Sequence, residues 1–366
     1  MKKALFILED INQSGSPLTA LHFIEALENK YDVSLLLLCI QDENVDLARK
    51  ADFEKHVKAI EEMKLPNMKS KIFKLLYTCY MKNAIKRVNE LFKKENFDLV
   101  YTNRLNVAGS IFPHIKSHFK DTKTIYNSLG NLRDRKESKY PFLRRRDNKI
   151  RQKTIGNTDY FVANSKQGVF KNIENYKNIF VIRDYPNIEL KKDKKEYSNK
   201  KTIRLGQIGY YCTNKNQLFS LEILSKLVKD GYEASMSFMG FEIAETGDYL
   251  VQMKNYIKAN SLSDRVLFLD SHNDKISFFN SVDILLCPSH TEGLPLVLLE
   301  SQYQKTPCLA SLAIPEEADL GFLKRLPLED INAWNNYLES EEYKSNQKDC
   351  EDLKASFFKK IDSLFN

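Results

Sequence analysis

The sequence contains few of the residues that cross-link proteins or hold metal ions. Six cysteines stand far apart among 366 residues, without a CxxC pair, and most of them lie inside apolar runs. This usage predicts buried, reduced thiols and a cytoplasmic location rather than a disulfide framework. The six histidines have no metal-ligand spacing, and no Asp-x-Asp pair stands in a metal-binding context, so we predict no metal site.

Long apolar runs are missing as well. The run from Ala4 to Leu8 is only five residues long before Glu9 and Asp10 interrupt it. It therefore predicts a first β-strand rather than an export signal. The most apolar stretch, 33–40, is far shorter than the roughly 20 residues that cross a bilayer. We expect no transmembrane helix.

The composition is typical of a folded protein with more than one domain. Hydrophobic residues make up 42% and charged residues 29%, and 366 residues suffice for two cores. The net charge of +7 is concentrated in the first half: residues 64–94 hold nine Lys or Arg against one acid, and residues 133–153 hold ten against three. A nucleic-acid partner is not favoured, because no known RNA- or DNA-binding module fits and aromatic residues do not interleave as stacking platforms.

Short apolar runs alternate with longer helical patterns, which predicts repeated βαβ units and parallel sheets. A charged, turn-rich stretch at 184–202 separates two such sets, so each half is predicted to be a doubly wound α/β domain. The predicted strands are Ala4–Leu8, Val33–Ile40, Leu99–Thr102, Lys123–Asn127 and Tyr160–Ala163, then Ile203–Ile208, Ala234–Met239, Val266–Leu269, Ile284–Cys287 and Thr306–Ala310.

The segment from Cys287 to Glu300 carries the most specific chemical signal. A buried strand is predicted to end at Cys287, a loop to hold Glu292 and Gly293, and a helix to carry Glu300. Ligands of open α/β sheets bind beyond the carboxyl ends of strands, and free N–H groups at a helix N-terminus favour anions. Gly293 allows close approach, and the two carboxylates can accept hydrogen bonds from sugar hydroxyls. Two glutamates at this spacing alone would more often be a solvated helix face.

Glu292 and Glu300 resemble the signature of the retaining glycosyltransferases of family four, which is Glu, seven residues, Glu, usually inside Pro-Ser-x-x-Glu-Gly-x-Pro. Pro288, Ser289 and Pro295 stand at the matching positions. Other segments are similar to the family as well, and 306–316 looks like its capsule and exopolysaccharide members. These segments are Ile208-Gly209 through Lys215, Phe238-Met239-Gly240, Val266–Leu269 and Thr306–Glu316.

The resemblance implies a GT-B fold, with two Rossmann-like domains facing a cleft. It places the acceptor side at 1–185, a linker at 186–202, the nucleotide-sugar domain at 203–345, and at 346–366 a helix that returns to the first domain. A metal or other cofactor is not expected, since such enzymes use Lys, Arg and helix dipoles instead. The predicted activity is sugar transfer, with retention, from a nucleotide diphosphate sugar to a glycan.

The resemblance also assigns roles to single residues. Glu300 would hold the ribose, while Glu292 and the backbone of Gly293 and Leu294 would hold the donor sugar. Lys215 would offset the negative charge that the leaving diphosphate gains; a lone Lys in this Lys-rich chain would otherwise be a surface residue. The loop of the first domain that faces the phosphates, and the start of the donor loop, would contribute Gly15, Gly209 and Tyr210. A plain strand-to-helix turn is the alternative at Gly15.

Two departures from the family pattern leave an alternative open. Tyr210 replaces the Arg that normally contacts the diphosphate. The His that many relatives carry in the first half has no clear counterpart either, because Asn103 and Asn127 occupy the positions where His is common. Arg104 or Arg133 are candidates to compensate. The alternative is a GT-B pseudoenzyme that stabilises a partner glycosyltransferase, and nucleotide-sugar epimerases share the two-domain pattern.

The basic first half predicts a membrane-associated acceptor. Arg144, Arg145 and Arg146 form a cluster suited to an anionic membrane surface, where a lipid-linked acceptor would lie. The segment 72–81 has a broad apolar side that either enters a membrane interface or packs in the core. We therefore expect peripheral binding at the inner face of the cell membrane and a part in surface polysaccharide synthesis.

Overall fold

A computed structural model describes most of the chain. The described residues are 1–12, 15–38, 45–63, 73–130, 141–169, 178–189, 191, 197, 201–242, 247–270, 274–345 and 350–365. They divide into two compact units, Met1–Asp184 with Ala355–Asn366, and Tyr185–Lys354. No helix among the described residues is long and apolar enough to cross a membrane.

The first unit contains a seven-stranded parallel sheet in the order β3-β2-β1-β4-β5-β6-β7. Its strands are β1 (Lys2–Leu8), β2 (Tyr31–Leu38), β3 (Ala59–Met63), β4 (Leu99–Thr102), β5 (Lys123–Ser128), β6 (Tyr160–Ala163) and β7 (Ile179–Val181). Helices connect them: α1 (Gly15–Leu27), α2 (Leu47–Glu54), α3 (Phe73–Lys94), α4 (Leu105–His118) and α5 (Pro141–Gly156).

The second unit contains a six-stranded parallel sheet in the order β10-β9-β8-β11-β12-β13. Its strands are β8 (Thr202–Ile208), β9 (Glu233–Met239), β10 (Val266–Leu269), β11 (Ile284–Cys287), β12 (Cys308–Ser311) and β13 (Leu323–Leu326). Its helices are α6 (Gln217–Lys229), α7 (Tyr249–Ala259), α8 (Lys275–Ser281), α9 (Leu296–Tyr303) and α10 (Ile331–Ser340).

The strands form because their apolar runs are buried on both faces, as parallel sheets between helices require. In β1, the residues Ala4 to Ile7 have no exposed surface, and in β11 the same holds for Ile284 and Leu285. Truncating one such Leu or Ile to Ala typically costs about 2–5 kcal/mol. Burial of these runs therefore fixes both sheets.

The last helix, α11 (Leu353–Ser363), begins in the second unit, and its residues from Ala355 onward belong to the first. Phe357 packs edge-on against Phe23 of α1 with ring centroids 5.4 Å apart, and Phe365 lies 5.7 Å from Tyr31. The predicted return of the C-terminal helix to the first domain is confirmed.

The described part of the apolar side at 72–81 packs in the core. Tyr80 and Met81 are 4% and 5% exposed and belong to the same hydrophobic cluster as Val88, Leu91 and residues of β1. Residues 64–72, which include three lysines of the basic segment 64–94, lie outside the described residues. For these two side chains, core packing is the observed arrangement.

Candidate active site

The two central strands of the second sheet bring the predicted donor residues to one edge. β8 and β11 are neighbours, and from this pair β9 and β10 continue in one direction while β12 and β13 continue in the other. At such a switch point the loops that follow the two strands diverge and leave a crevice, where ligands of doubly wound folds bind. Lys215 lies in the loop after β8, and Glu292 lies in the loop after β11.

Two glycines let the loops after β8 and β9 approach each other closely. Gly209 has a φ of 146°, which residues with a side chain rarely adopt. A Cβ atom on Gly240 would overlap the carbonyl oxygen of Gly209. Hydrogen bonds run from Gly209 N to Met239 O, 3.0 Å, and from Gly240 N to Leu269 O, 3.1 Å. Backbone hydrogen bonds therefore join the carboxyl ends of β8, β9 and β10.

Two buried amides fix the loop that carries Lys215. Gln207 Nε2 donates to Lys215 O at 2.7 Å, while Gln207 Oε1 accepts from Ser220 Oγ at 2.7 Å. Gln217 Nε2 donates to Tyr210 O at 2.8 Å. Because the two glutamines are only 3% and 0% exposed, these bonds replace those lost to water. Neither was predicted from the sequence, where Gln207 is an amide within the strand β8 and Gln217 is the first residue of α6.

Lys215 and Glu292, the two residues predicted to act in catalysis, form an ion pair. Lys215 Nζ donates to Glu292 Oε1 at 2.6 Å, and 21% and 14% of the two side chains are exposed. Burial lowers the pKa of Lys215, but the charge of Glu292 and their hydrogen bond outweigh it and raise this pKa above its ordinary value. Lys215 is thus a fixed ammonium group at neutral pH.

The two loops are also joined through their backbones. His290 N donates to Asn214 O at 2.8 Å, and Asn214 Nδ2 donates to Thr291 O at 3.0 Å. Gly293 and Leu294, whose backbone is predicted to contact the donor sugar, follow at once and are buried. These bonds hold the Lys215 and Glu292 side chains in one place.

Glu300, predicted to hold the ribose, is paired with a lysine that was not predicted. Glu300 lies in α9 and is 2% exposed. Both of its carboxylate oxygens accept from Lys275 Nζ, at 2.9 and 2.8 Å. Lys275 is the first residue of α8 and its side chain is 42% exposed. The cation therefore connects the buried carboxylate to the surface of the second unit.

Tyr210 gives the site an aromatic group where the family pattern has an Arg. Its ring packs edge-on against Phe241, with centroids 4.8 Å apart, and is half-buried. Tyr211 N donates to Phe241 O at 3.0 Å, which holds the two loops at this spacing. Since Tyr210 is uncharged, the positive charge at this edge of the sheet comes from other residues, among them Lys215 and Lys275.

The thiol at the end of β11 is a neutral group. Cys287, at the end of β11, is buried, and burial followed by the charge of Glu292 raises the pKa of this thiol to about 11. Cys212, Cys308 and Cys350 are also free thiols. Within the described residues, no group of three or more His, Cys, Asp and Glu side chains is placed to hold a metal ion.

In the first unit, Gly15 is the first residue of α1 and is exposed, whereas the preceding Ser14 lies outside the described residues. Asn103, one of the two positions where relatives have His, donates from Nδ2 to Ser16 O at 3.0 Å and to Ser16 Oγ at 3.1 Å. It thereby ties the end of β4 to the start of α1. The other, Asn127, donates to Tyr101 Oη at 2.9 Å inside the core.

The basic residues of the first unit lie on two elements. Arg144, Arg145 and Arg146 are exposed on α5. Arg104 precedes α4 and pairs with Glu9, at 3.4 Å, and with Asp10. Arg133, the other cation considered as a replacement for the missing His, lies outside the described residues.

A family comparison agrees with the resemblance. Residues 189–319 match the family model described as Glycosyl transferases group 1, and this range includes every predicted donor residue of the second unit. The chain therefore carries a domain of the group 1 glycosyltransferases, and the predicted recognition is confirmed.

The chain is also similar to curated glycosyltransferases, one of which is named for capsular polysaccharide biosynthesis. The capsular polysaccharide biosynthesis glycosyltransferase CapH of Staphylococcus aureus is 23% identical over 236 residues, 61% of each chain. The UDP-Gal:alpha-D-GlcNAc-diphosphoundecaprenol alpha-1,3-galactosyltransferase of Escherichia coli is 29% identical over 138 residues, 36% of this chain and 34% of the relative. The chain thus matches less than two thirds of the length of these curated relatives.

Solved structures extend the similarity to the whole chain. The lipopolysaccharide outer core galactosyltransferase WaaB, in its apo form, has a TM-score of 0.72 at 16% identity and covers 99% of both chains. HepE of Anabaena in complex with UDP has a TM-score of 0.67 at 16% identity, covering 100% of this chain and 96% of HepE. The chain has the GT-B fold, and the predicted fold class is confirmed.

Proposed function

We propose that this protein is a retaining glycosyltransferase that transfers a sugar from a nucleotide diphosphate sugar to a glycan. The observation that carries the proposal is the Lys215–Glu292 ion pair at the switch point of the second sheet, with Glu300 in the helix that follows. An ammonium and two carboxylates match a ligand that combines a diphosphate with sugar and ribose hydroxyls.

The proposed reaction breaks the bond between the anomeric carbon and the diphosphate oxygen and forms a bond from that carbon to an acceptor hydroxyl. The diphosphate oxygen keeps the electron pair of the broken bond and gains negative charge, and the proton of the acceptor hydroxyl passes to the leaving diphosphate. Lys215 offsets that charge, while Glu292 accepts hydrogen bonds from hydroxyls of the donor sugar. Retention rests on the family resemblance and is checked by NMR of the product linkage.

We further propose a lipid-linked acceptor and a place in surface polysaccharide synthesis. The names of CapH and of the E. coli galactosyltransferase, whose acceptor is a diphosphoundecaprenol-linked sugar, support this choice. The exposed arginines on α5 support peripheral binding at the inner face of the membrane.

The proposal is tested by screening nucleotide sugars by thermal shift and then measuring donor hydrolysis and transfer. Glu292→Ala is expected to lower mainly kcat, and Glu300→Ala to raise mainly the donor KM, because one holds the reacting sugar and the other the ribose. Glu329→Ala, at an exposed position outside the site, is the control. Near-normal kinetics in both site variants would refute the donor site, and a wild type that binds donors but neither hydrolyses nor transfers them would indicate a pseudoenzyme.

A further inference from the structure

The two segments at which the chain enters and leaves the second unit are both bonded to the end of α9. The chain enters this unit at Tyr185 and leaves it after Lys354. Tyr303, the last residue of α9, donates from Oη to Glu351 O at 3.0 Å and accepts from Leu353 N at 2.8 Å. The leaving segment is therefore held by a hydroxyl group that uses both its donor and its acceptor capacity.

The entering segment is held at the same helix end. Gln304 Nε2 donates to Glu189 O at 2.8 Å, and Lys191 N donates to Tyr303 O at 2.9 Å. Tyr303 and Gln304 are only 5% and 4% exposed, so these bonds replace those that both side chains lose to water. The end of α9 thus fixes both segments within the second unit.

Residues of both segments and Tyr303 line a cavity of about 410 Å³. All of its lining residues belong to the second unit, and none of them is a proposed donor residue. The volume lies within the roughly 300–1,000 Å³ of pockets that hold small molecules. Its apolar walls are Tyr185, Pro186, Ile188 and Tyr303. Because the two tyrosines are 3% and 5% exposed, a ligand would meet walls that are already in place.

The polar part of the lining can bind hydroxyl groups. It consists of Asn187, Glu189, Asp352 and Lys354, which are all exposed residues. The carboxylates accept from hydroxyls, the ammonium donates to them, and the amide can do both. The flat rings of the apolar walls suit the C–H face of a sugar, because an aromatic face carries partial negative charge. A sugar ring, with one apolar face and a rim of hydroxyls, matches both parts.

Other classes of small ligand fit this lining less well. A phosphate would meet two carboxylates and only one ammonium, so the net charge repels it. A cation would compete with Lys354, whose Nζ already lies 5.4 Å from the ring centroid of Tyr185. A wholly apolar ligand would take the polar groups out of water without giving them partners. An uncharged polyol has none of these costs.

We propose that this cavity is a second sugar-binding site, which holds one neutral sugar ring of a glycan apart from the residues that bind the donor. The word glycan rests on the proposed function, whereas binding of a sugar to the cavity does not. The site gives the second unit a carbohydrate contact that is independent of the nucleotide part of the donor.

The test measures binding of free sugars to the full chain by saturation-transfer NMR, without a nucleotide sugar. The probes are glucose, galactose, N-acetylglucosamine and N-acetylgalactosamine, with choline as the cationic and inorganic pyrophosphate as the anionic probe. Asn187→Leu removes a polar group of the cavity, and Ile188→Trp reduces its volume. Asn332→Leu is the matched control, since it makes the same change at an exposed position of α10 outside the cavity. Glu292→Ala impairs the proposed donor site instead.

At least one sugar is expected to bind the wild type, with affinity lowered about fivefold or more in Asn187→Leu and Ile188→Trp, the scale of one lost hydrogen bond. Asn332→Leu and Glu292→Ala should stay within about twofold of the wild type. Binding of no sugar, equal affinity in the wild type and both cavity variants, a loss in Glu292→Ala alone, or a preference for choline or pyrophosphate over every sugar would each overturn the inference. Since no nucleotide sugar is present, this result does not depend on whether the protein transfers sugars.

Discussion

Lys215 is the residue whose removal should affect the chemical step most directly. Its ammonium is held 2.6 Å from Glu292 and is predicted to meet the diphosphate as negative charge develops there. Lys215→Ala should lower kcat by roughly tenfold to a thousandfold, the scale of losing one preorganised contact to a developing anion. Steady-state kinetics with the identified donor measures this.

Lys226→Ala is the matched control. Lys226 lies in the last turn of α6, the helix that follows the Lys215 loop, and its ammonium pairs with Asp230 at the surface. EDTA should change the rate little. A large loss on chelation that manganese or magnesium restores would contradict the metal-free site assigned to Lys215.

Lys275 should act through Glu300 on donor affinity. Both oxygens of this buried carboxylate accept from Lys275 Nζ, so Lys275→Met removes the group that orients them. We expect the donor KM to rise by about tenfold, with kcat within about twofold, because the ribose is distant from the reacting carbon. Lys275→Arg should restore most of the affinity. An unchanged KM in Lys275→Met would show that Glu300 needs no such partner.

At the scale of elements, the central strands and the helices after them were predictable, because continuous apolar runs flanked by amphipathic patterns have few other solutions. The strands β3, β7 and β13 were not predicted. Each lies at or near a sheet edge and is partly exposed, and β3 and β13 carry Glu61, Glu62, Lys324 and Arg325, which interrupt the apolar pattern.

Gly240, which directly follows β9, is expected to tolerate no side chain. Gly240→Ala would drive a Cβ into the carbonyl of Gly209, so the loop ends must separate. We expect a loss of about 1–3 kcal/mol in the free energy of unfolding and weaker donor binding. Urea unfolding can be followed by fluorescence of Trp334, the one tryptophan, which is buried in the core of the second unit.

Gly156→Ala is the control for this prediction, because a Cβ at Gly156 meets nothing within 4 Å. It should leave the Trp334 transition unchanged. Equal transitions in the Gly240→Ala and wild-type proteins would mean that the loops relax at no cost.

At the scale of the whole molecule, we predict reversible binding to anionic vesicles through α5. Each basic residue near such a surface contributes about 1 kcal/mol, so replacing Arg144 and Arg145 together with Ser should weaken co-sedimentation by roughly tenfold or more at low salt. Arg146 is left in place because its guanidinium pairs with Asp147. Added salt should weaken binding of the wild type.

The matched control removes the same charge elsewhere, by Lys254→Ser with Lys258→Ser on the exposed side of α7. If both double variants sediment with vesicles as the wild type does, α5 does not dock the protein on membranes. An equal loss of vesicle binding in both double variants would indicate that net charge, and not the position of the arginines on α5, determines binding.

The α/β class, the two sets of strands, and the segments with Lys215, Glu292 and Glu300 that we propose to bind the donor could all be inferred from the sequence alone. These inferences were possible because the periodicity of apolar residues in strands and helices is a local property of the sequence. Glu292 and Glu300 also lie close together in the sequence, in one loop and the helix that follows it. Tertiary structure decided the partners. Lys275 pairs with Glu300, Gln207 donates to the backbone of the Lys215 loop, and Arg104 pairs with Glu9 and Asp10. These contacts depend on the order of the strands in each sheet, and residues far apart in sequence carry no local pattern that predicts them.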